Sequence, residues 1–175
     1  MKRGIIFYVL LICLTFSFSG VGYAQDTVFD MPKYKTISEI GELSNSGKYE
    51  DALSKIDTAL KQYPNDAELY YWHAVVKSKL SDYKAAIKDY DKVIKLSPQN
   101  GPAYVMRGIA KSDTQDYEGA MADFNKAIEI NSKDGSAYSM RACVKIQIGD
   151  IDGALKDMEL ANKLLDEDFS KTRTK

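Results

Sequence analysis

The strongest constraint on this chain is that it repeats itself every 34 residues. Tyr70, Tyr104 and Tyr138 keep that interval, as do Tyr49, Tyr83 and Tyr117, with Ile151 in the fourth place. Ala52, Ala86, Ala120 and Ala154 recur unchanged. Ile56, Tyr90, Phe124 and Met158 stay large, while Ala59, Val93, Ala127 and Ala161 stay small. Four copies therefore run 33–66, 67–100, 101–134 and 135–168. A period of this length belongs to stacked arrays, in which one unit cannot bury its apolar face alone and relies on its neighbours.

Each copy reads as two helices. In the second, Tyr70, Ala74 and Val75 recur at helical spacing, Ser81-Asp82 interrupts, and Ala86, Ile87, Tyr90, Val93 and Ile94 resume up to Ser97-Pro98. Asp66, Asn100 and Asp134 stand where each first helix begins, and Asp82, Asp116 and Asp150 where each second helix begins. Short polar side chains there accept the otherwise unpaired amide hydrogens. Pro64 and Pro98 close second helices, because proline disfavours helix in the residue before it. Gly119 and Gly153 lie inside second helices at a cost of up to ~1 kcal/mol each, which suggests close approach of neighbouring backbones.

In these residues the chain resembles tetratricopeptide repeat proteins, whose pattern is W-x2-L-G-x2-Y…A-x3-F…P. The third copy supplies Tyr104, Gly108, Ala120, Phe124 and Ala127; the second supplies Tyr70, Ala74, Ala86, Tyr90 and Pro98. The first copy, with Thr36, Ile40, Ala52, Ile56 and Pro64, is degenerate in its first helix, as suits a terminal repeat. The resemblance implies an all-α, right-handed α-solenoid of four helix-turn-helix repeats, with first helices lining a concave face. It also implies that positions 2, 5, 9, 12 and 13 of each copy point into that groove. Those positions hold Glu68, Tyr71, Val75, Ser78 and Lys79, then Pro102, Val105, Ile109, Ser112 and Asp113, then Ser136, Ser139, Cys143, Ile146 and Gln147. The apolar members would form a stripe with a polar margin, a form suited to a peptide segment or partner helix. Some of them can equally fill the joints between repeats. One subgroup of these repeats grips chaperone C-terminal carboxylates with basic and amide side chains in the groove. Here Ile37, Gly41, Trp72, Pro102 and Met106 occupy the matching places, which argues against that role.

A second pattern runs through the copies. The seventh residue is Glu39, His73, Arg107 and Arg141; sixteen residues later come Lys55, Asp89, Asp123 and Asp157. Wherever the first is acidic the second is basic, and otherwise the reverse. This predicts four structural ion pairs inside the repeats, Glu39–Lys55, His73–Asp89, Arg107–Asp123 and Arg141–Asp157, that fix helix register without adding much stability.

The N-terminus is of another kind. Lys2 and Arg3 precede an almost wholly apolar run from Gly4 to Phe18, and small residues up to Ala24 offer a cleavage site. That order is that of a secretory signal peptide over 1–24, followed by a linker over 25–32; an uncleaved membrane anchor is the alternative. Cys13 follows Ile12 rather than the small residue that lipidation requires. The expectation is an exported protein, periplasmic or secreted, from a bacterium. Without 1–24 the chain has 22 basic and 25 acidic residues, a formal charge of -3, and a single cysteine, Cys143, so no internal disulfide can form. With no basic excess, nucleic acid is a poor partner.

Signals for chemistry are sparse. The one histidine, His73, excludes a histidine-rich metal site, and Cys143 reads as a small apolar residue in or near the packing surface. Asp150-Ile151-Asp152-Gly153 lacks the glutamate of a calcium loop, since Ala161 stands at its twelfth position. There is no phosphate-binding glycine loop. The chain reads as a non-enzymatic adaptor without cofactor, metal or small-molecule substrate, binding a protein or peptide in its groove. The alternative is a structural subunit of an envelope or secretion complex. It would dock or self-associate through an open C-terminal end, where Leu160, Leu164 and Leu165 precede a polar tail over 169–175.

Overall fold

The structure, a computed structural model, describes the backbone of residues 31–173 and the side chains of 32–167; the signal segment, most of the linker and the last two residues lie outside that range. Eight helices form one unit and there is no strand among the described residues: α1 Met31–Asn45, α2 Tyr49–Gln62, α3 Ala67–Lys79, α4 Tyr83–Leu96, α5 Gly101–Asp113, α6 Tyr117–Ile130, α7 Gly135–Gln147 and α8 Ile151–Arg173. The solenoid read from the period is thus present as four helix pairs. None of these helices is long and apolar enough to cross a membrane.

The caps fall where the short polar residues lie. Asp66, Asn100 and Asp134 accept amide hydrogens at the starts of α3, α5 and α7. Asp82, Asp116 and Asp150 do so from Ala85, Gly119 and Gly153. Only the first pair differs, with Lys48 before α2 making no side-chain cap. The turns inside the pairs share one device: their fifteenth residue is left-handed in all four copies, as Gly47 (φ 73°), Ser81 (φ 61°), Gln115 (φ 64°) and Gly149 (φ 85°). Two copies use glycine, which adopts this conformation freely, and two tolerate strain.

Gly119 and Gly153 are explained differently from the sequence expectation. No neighbouring backbone presses on them; a Cβ would instead collide with the capping carboxylate, that of Asp116 at Gly119 and that of Asp150 at Gly153. Close helix approaches are instead at Gly108, where a Cβ would lie 2.8 Å from the Phe124 ring, and at Gly135, where it would lie 2.9 Å from Leu165 and 3.1 Å from the Ala161 carbonyl oxygen. The chain also continues as helix through Arg173, where the sequence suggests a polar tail. Nothing after Gly153 stops it: Pro64 and Pro98 have no equivalent in the last copy, and the added residues are mostly helix-compatible.

The core is divided among the joints. Ile40, Ala52, Ile56 and Ala59 of the first pair pack with Leu69 and Val76 of α3. Ala74, Ala86 and Tyr90 of the second take Met106 of α5. Tyr104, Ala120, Phe124 and Ala127 of the third take Ala137 and Val144 of α7. Each pair is therefore closed by the first helix of the next. First helices α3, α5 and α7 also touch one another in sequence, whereas second helices α4, α6 and α8 do not. That asymmetry curves the stack, with first helices on the inner side.

All four expected pairs come into contact, three of them as ion pairs. Lys55 meets Glu39; His73 Nδ1 lies 3.0 Å from Asp89; Arg107 grips Asp123 with Nε at 2.8 Å and Nη2 at 2.5 Å; and Arg141 does the same to Asp157 at 2.8 and 2.7 Å. The His73 Nδ1 contact is a close polar approach, without the alignment of a hydrogen bond. Two further layers surround the pairs. A lysine one turn along the first helix joins the same carboxylate: Lys77 at 2.9 Å, Lys111 at 2.9 Å and Lys145 at 2.8 Å. In addition, the seventh residue reaches back across the joint to the preceding second helix: His73 to Asp57 at 3.5 Å, Arg107 to Asp91 at 2.6 Å and Arg141 to Asn125 at 2.7 Å. Asp123 and Asp157 are buried, so their charge depends on these partners.

Burial alone would raise the Asp89 and Asp157 carboxyls, but the close His73 and Lys77 side chains at the first, and Arg141 and Lys145 at the second, outweigh it and hold both below the ordinary value. A carboxyl lowered on folding stabilises the protein above its unfolded-state value, about pH 4, and the gain disappears as pH falls through the lower folded-state value. We expect urea melts to show stability falling below about pH 4. Asp157→Asn should cost roughly 3 kcal/mol at neutral pH, because Arg141 then faces only the uncharged Asn125, and should blunt the acid loss. The same melts separate the two kinds of glycine. Gly108→Ala should destabilise by about 1 kcal/mol net, since overpacking a buried ring exceeds the helix-propensity gain. Gly119→Ala should be neutral or stabilising, because the exposed cap can swing as it does at Ala85, where the bond is 3.2 Å.

Candidate functional site

Two surfaces stand out. On the inner side, Glu68, Lys79 and Asp113 are exposed, and Tyr71, Val75, Ile109 and Ser139 are half-buried. Ile146 is 46% exposed. Tyr71 stacks edge-on against the buried Tyr90 at 5.9 Å between ring centroids, which fixes its ring in the groove wall. Burial raises both phenols above their ordinary value, and the Ser78 hydroxyl opposes this only in part at Tyr90. Neither is ionised near neutrality. At the C-terminal part of this surface, Ser112, Asp113, Gln115, Tyr117, Cys143 and Gln147 line a shallow recess of about 330 Å³.

One of the residues expected in the groove is placed otherwise. Val105 is only 8% exposed and belongs to the core with Ala137 and Val144, because α7 covers it; it is a joint residue. Ile109 also leans on that core. Cys143 is exposed rather than packed. Its counterparts Val75 and Ile109 are half-buried, Ile109 against a core that includes Ala137 and Val144 of the following repeat, and after α7 no further repeat lies among the described residues.

The second surface is the outer face of α8. Leu165 is exposed there, whereas the exposed Leu160, two residues and so about 200° on from Met158, and the half-buried Leu164 lie on another side of the helix. The larger part of the face, however, is Ile151 (53% exposed), Leu155 (60%) and Met158 (44%). These three are the 34-residue counterparts of Tyr117, Met121 and Phe124 on α6, where α7 closes the joint and Phe124 is 1% exposed. The sequence signal for them is the repeat itself: these core positions of the last second helix lack their cover. The lysines Lys77, Lys111 and Lys145, and the acceptors Asp57, Asp91 and Asn125, are legible in the same way. A further recess, about 530 Å³, lies between α1 and α2, where Leu43 stands in place of those lysines.

Comparison with known proteins agrees with this geometry. No curated protein matches the chain. Among solved structures it is similar to MamA, with a TM-score of 0.71 at 19% identity over 77% of this chain and 79% of that one. It is also similar to MamA from Desulfovibrio magneticus RS-1, at 0.70 and 21% over 75% of each. A thermophilic tetratricopeptide protein of Thermus thermophilus gives 0.67 and 22% over 76% of this chain and 74% of that one. At such identities these likenesses establish the fold. Models of the tetratricopeptide repeat match residues 42–100 and 101–134, which together run without a gap over more than half of the 175 residues. With its period, its caps and its small-against-large helix contacts, the chain belongs to the tetratricopeptide repeat family.

Proposed function

We propose that the protein is a non-enzymatic adaptor, exported to the periplasm or beyond the cell, that holds a peptide segment or helix of another protein against its inner face. The repeat fold itself speaks for a protein-interaction scaffold. The observation that supports this surface is the row of half-buried apolar side chains on successive first helices, Tyr71, Val75 and Ile109, continued by Ile146 and flanked by the exposed Glu68, Lys79 and Asp113. Rigid apolar anchors within a polar margin are what an extended or helical ligand needs. Export rests on the charged, apolar and small-residue order of the first 24 residues.

A second reading is supported by a separate observation. The uncovered apolar face of α8 suits a structural subunit that docks end-on into a larger envelope assembly.

Exposed positions discriminate the two, because a substitution at the buried Val105 would unfold the joint instead of blocking the groove. We expect crosslinked capture from the native envelope to lose its partner in Lys79→Glu/Asp113→Lys and to keep it in Leu155→Lys, with unchanged thermal melts for both chains. Loss only in Leu155→Lys would move the function to the open end.

A further inference from the structure

The chemistry that would suit the open end can be read from the joints that are filled. At each joint a basic seventh residue of the incoming first helix bridges to the twenty-fifth residue of the preceding copy: His73 to Asp57, Arg107 to Asp91, Arg141 to Asn125. In the fourth copy that acceptor is Glu159, which is exposed and makes no ion pair among the described residues. It sits on the same helix as Ile151, Leu155 and Met158, whose counterparts on α6 are covered by α7. The end therefore presents the apolar footprint of a first helix together with the acidic acceptor for its seventh residue.

We propose that this face docks an amphipathic helix of a different protein, packed as α7 packs on α6, with a lysine or arginine placed to meet Glu159. The inference rests on the second reading above and names the chemistry of the partner. A second copy of this chain is the wrong occupant. Among the described residues, the first helix it could offer with no repeat stacked before it is α1, and there the seventh residue is Glu39, already joined to Lys55. Stacked head to tail, Glu39 would be set beside Glu159, and like charges so placed oppose association. The inverted pair of the first copy thus separates the two ends of the array chemically.

The test uses the full chain and a labelled, hydrocarbon-stapled helix copying Gly135–Gln147, the segment that closes the equivalent joint, read by fluorescence anisotropy. A second peptide carries Arg141→Glu. The wild type should bind the arginine peptide at least about tenfold more tightly than the glutamate peptide. Glu159→Lys should reverse that preference, and Leu155→Lys should abolish both. All substituted positions on the chain are exposed, and circular dichroism checks that the helices remain. Sedimentation should show a monomer. Equal binding of both peptides by the wild type would overturn the proposal while leaving the end as a docking face. No binding of either peptide would remove the docking reading as well. A dimer dispersed by Leu155→Lys would make a second copy the occupant and overturn the proposal in favour of self-assembly.

Discussion

The described helix pairs rest on a contact between the eighth position and the twenty-fourth, seen in the first three copies, with a small residue set against a large one in the second and third. Gly108 faces Phe124, Ala74 packs with Tyr90 and Ile40 with Ile56, and the same positions in the last copy hold Ala142 and Met158. The sizes compensate, since the position facing the Phe124 ring is the one with no side chain at all. Close packing leaves little freedom in how far apart or how rotated the two helices can sit. Once that geometry is set, the seventh and twenty-third residues are forced close together, and the next first helix has only one way to lie over the pair.

The polar arrangement follows from that constraint instead of competing with it. Asp123 and Asp157 are buried because they lie beside the small-against-large contact, and a buried carboxylate is tolerable only when its oxygens are satisfied. Arginine answers with a two-pronged grip and has a third nitrogen to spare, which crosses to the neighbouring repeat. One side chain thereby couples register within a pair to register between pairs. The tyrosine three residues earlier, Tyr104 or Tyr138, lies under the guanidinium at 5.5 or 5.2 Å and steadies it further.

Much of this is legible in the sequence because a repeat is its own alignment. A residue that recurs at 34, such as the capping aspartates or the charge exchange between Glu39–Lys55 and Arg107–Asp123, reports a contact made several times over. What escapes is whatever depends on a neighbour that differs between copies. Val105 and Cys143 occupy positions assigned to one face, but one is under α7 and the other is exposed. Gly119 is a related case. The repeat shows Ala85 in the same place, so close backbone approach could never have been a general requirement, and the true neighbour is a local cap. The continuation of α8 beyond the repeat has no second copy to compare with.

An array held together by nearest neighbours has the same joint at every step, and so it carries the joint's unsatisfied half at its end. If both ends were halves of one joint, chains would add head to tail without closing, which is the geometry of fibres. Among the described residues the first and last pairs differ in the groups that make the joints. The first pair carries its ion pair inverted, has Leu43 where the others have a lysine, and lacks a side-chain cap on α2. The last pair offers apolar surface and Glu159. The degeneracy of the first copy is thus more than relaxed sequence: it departs from the pattern at the very positions that make joints in the other copies, so the first and last described pairs do not carry the same joint chemistry.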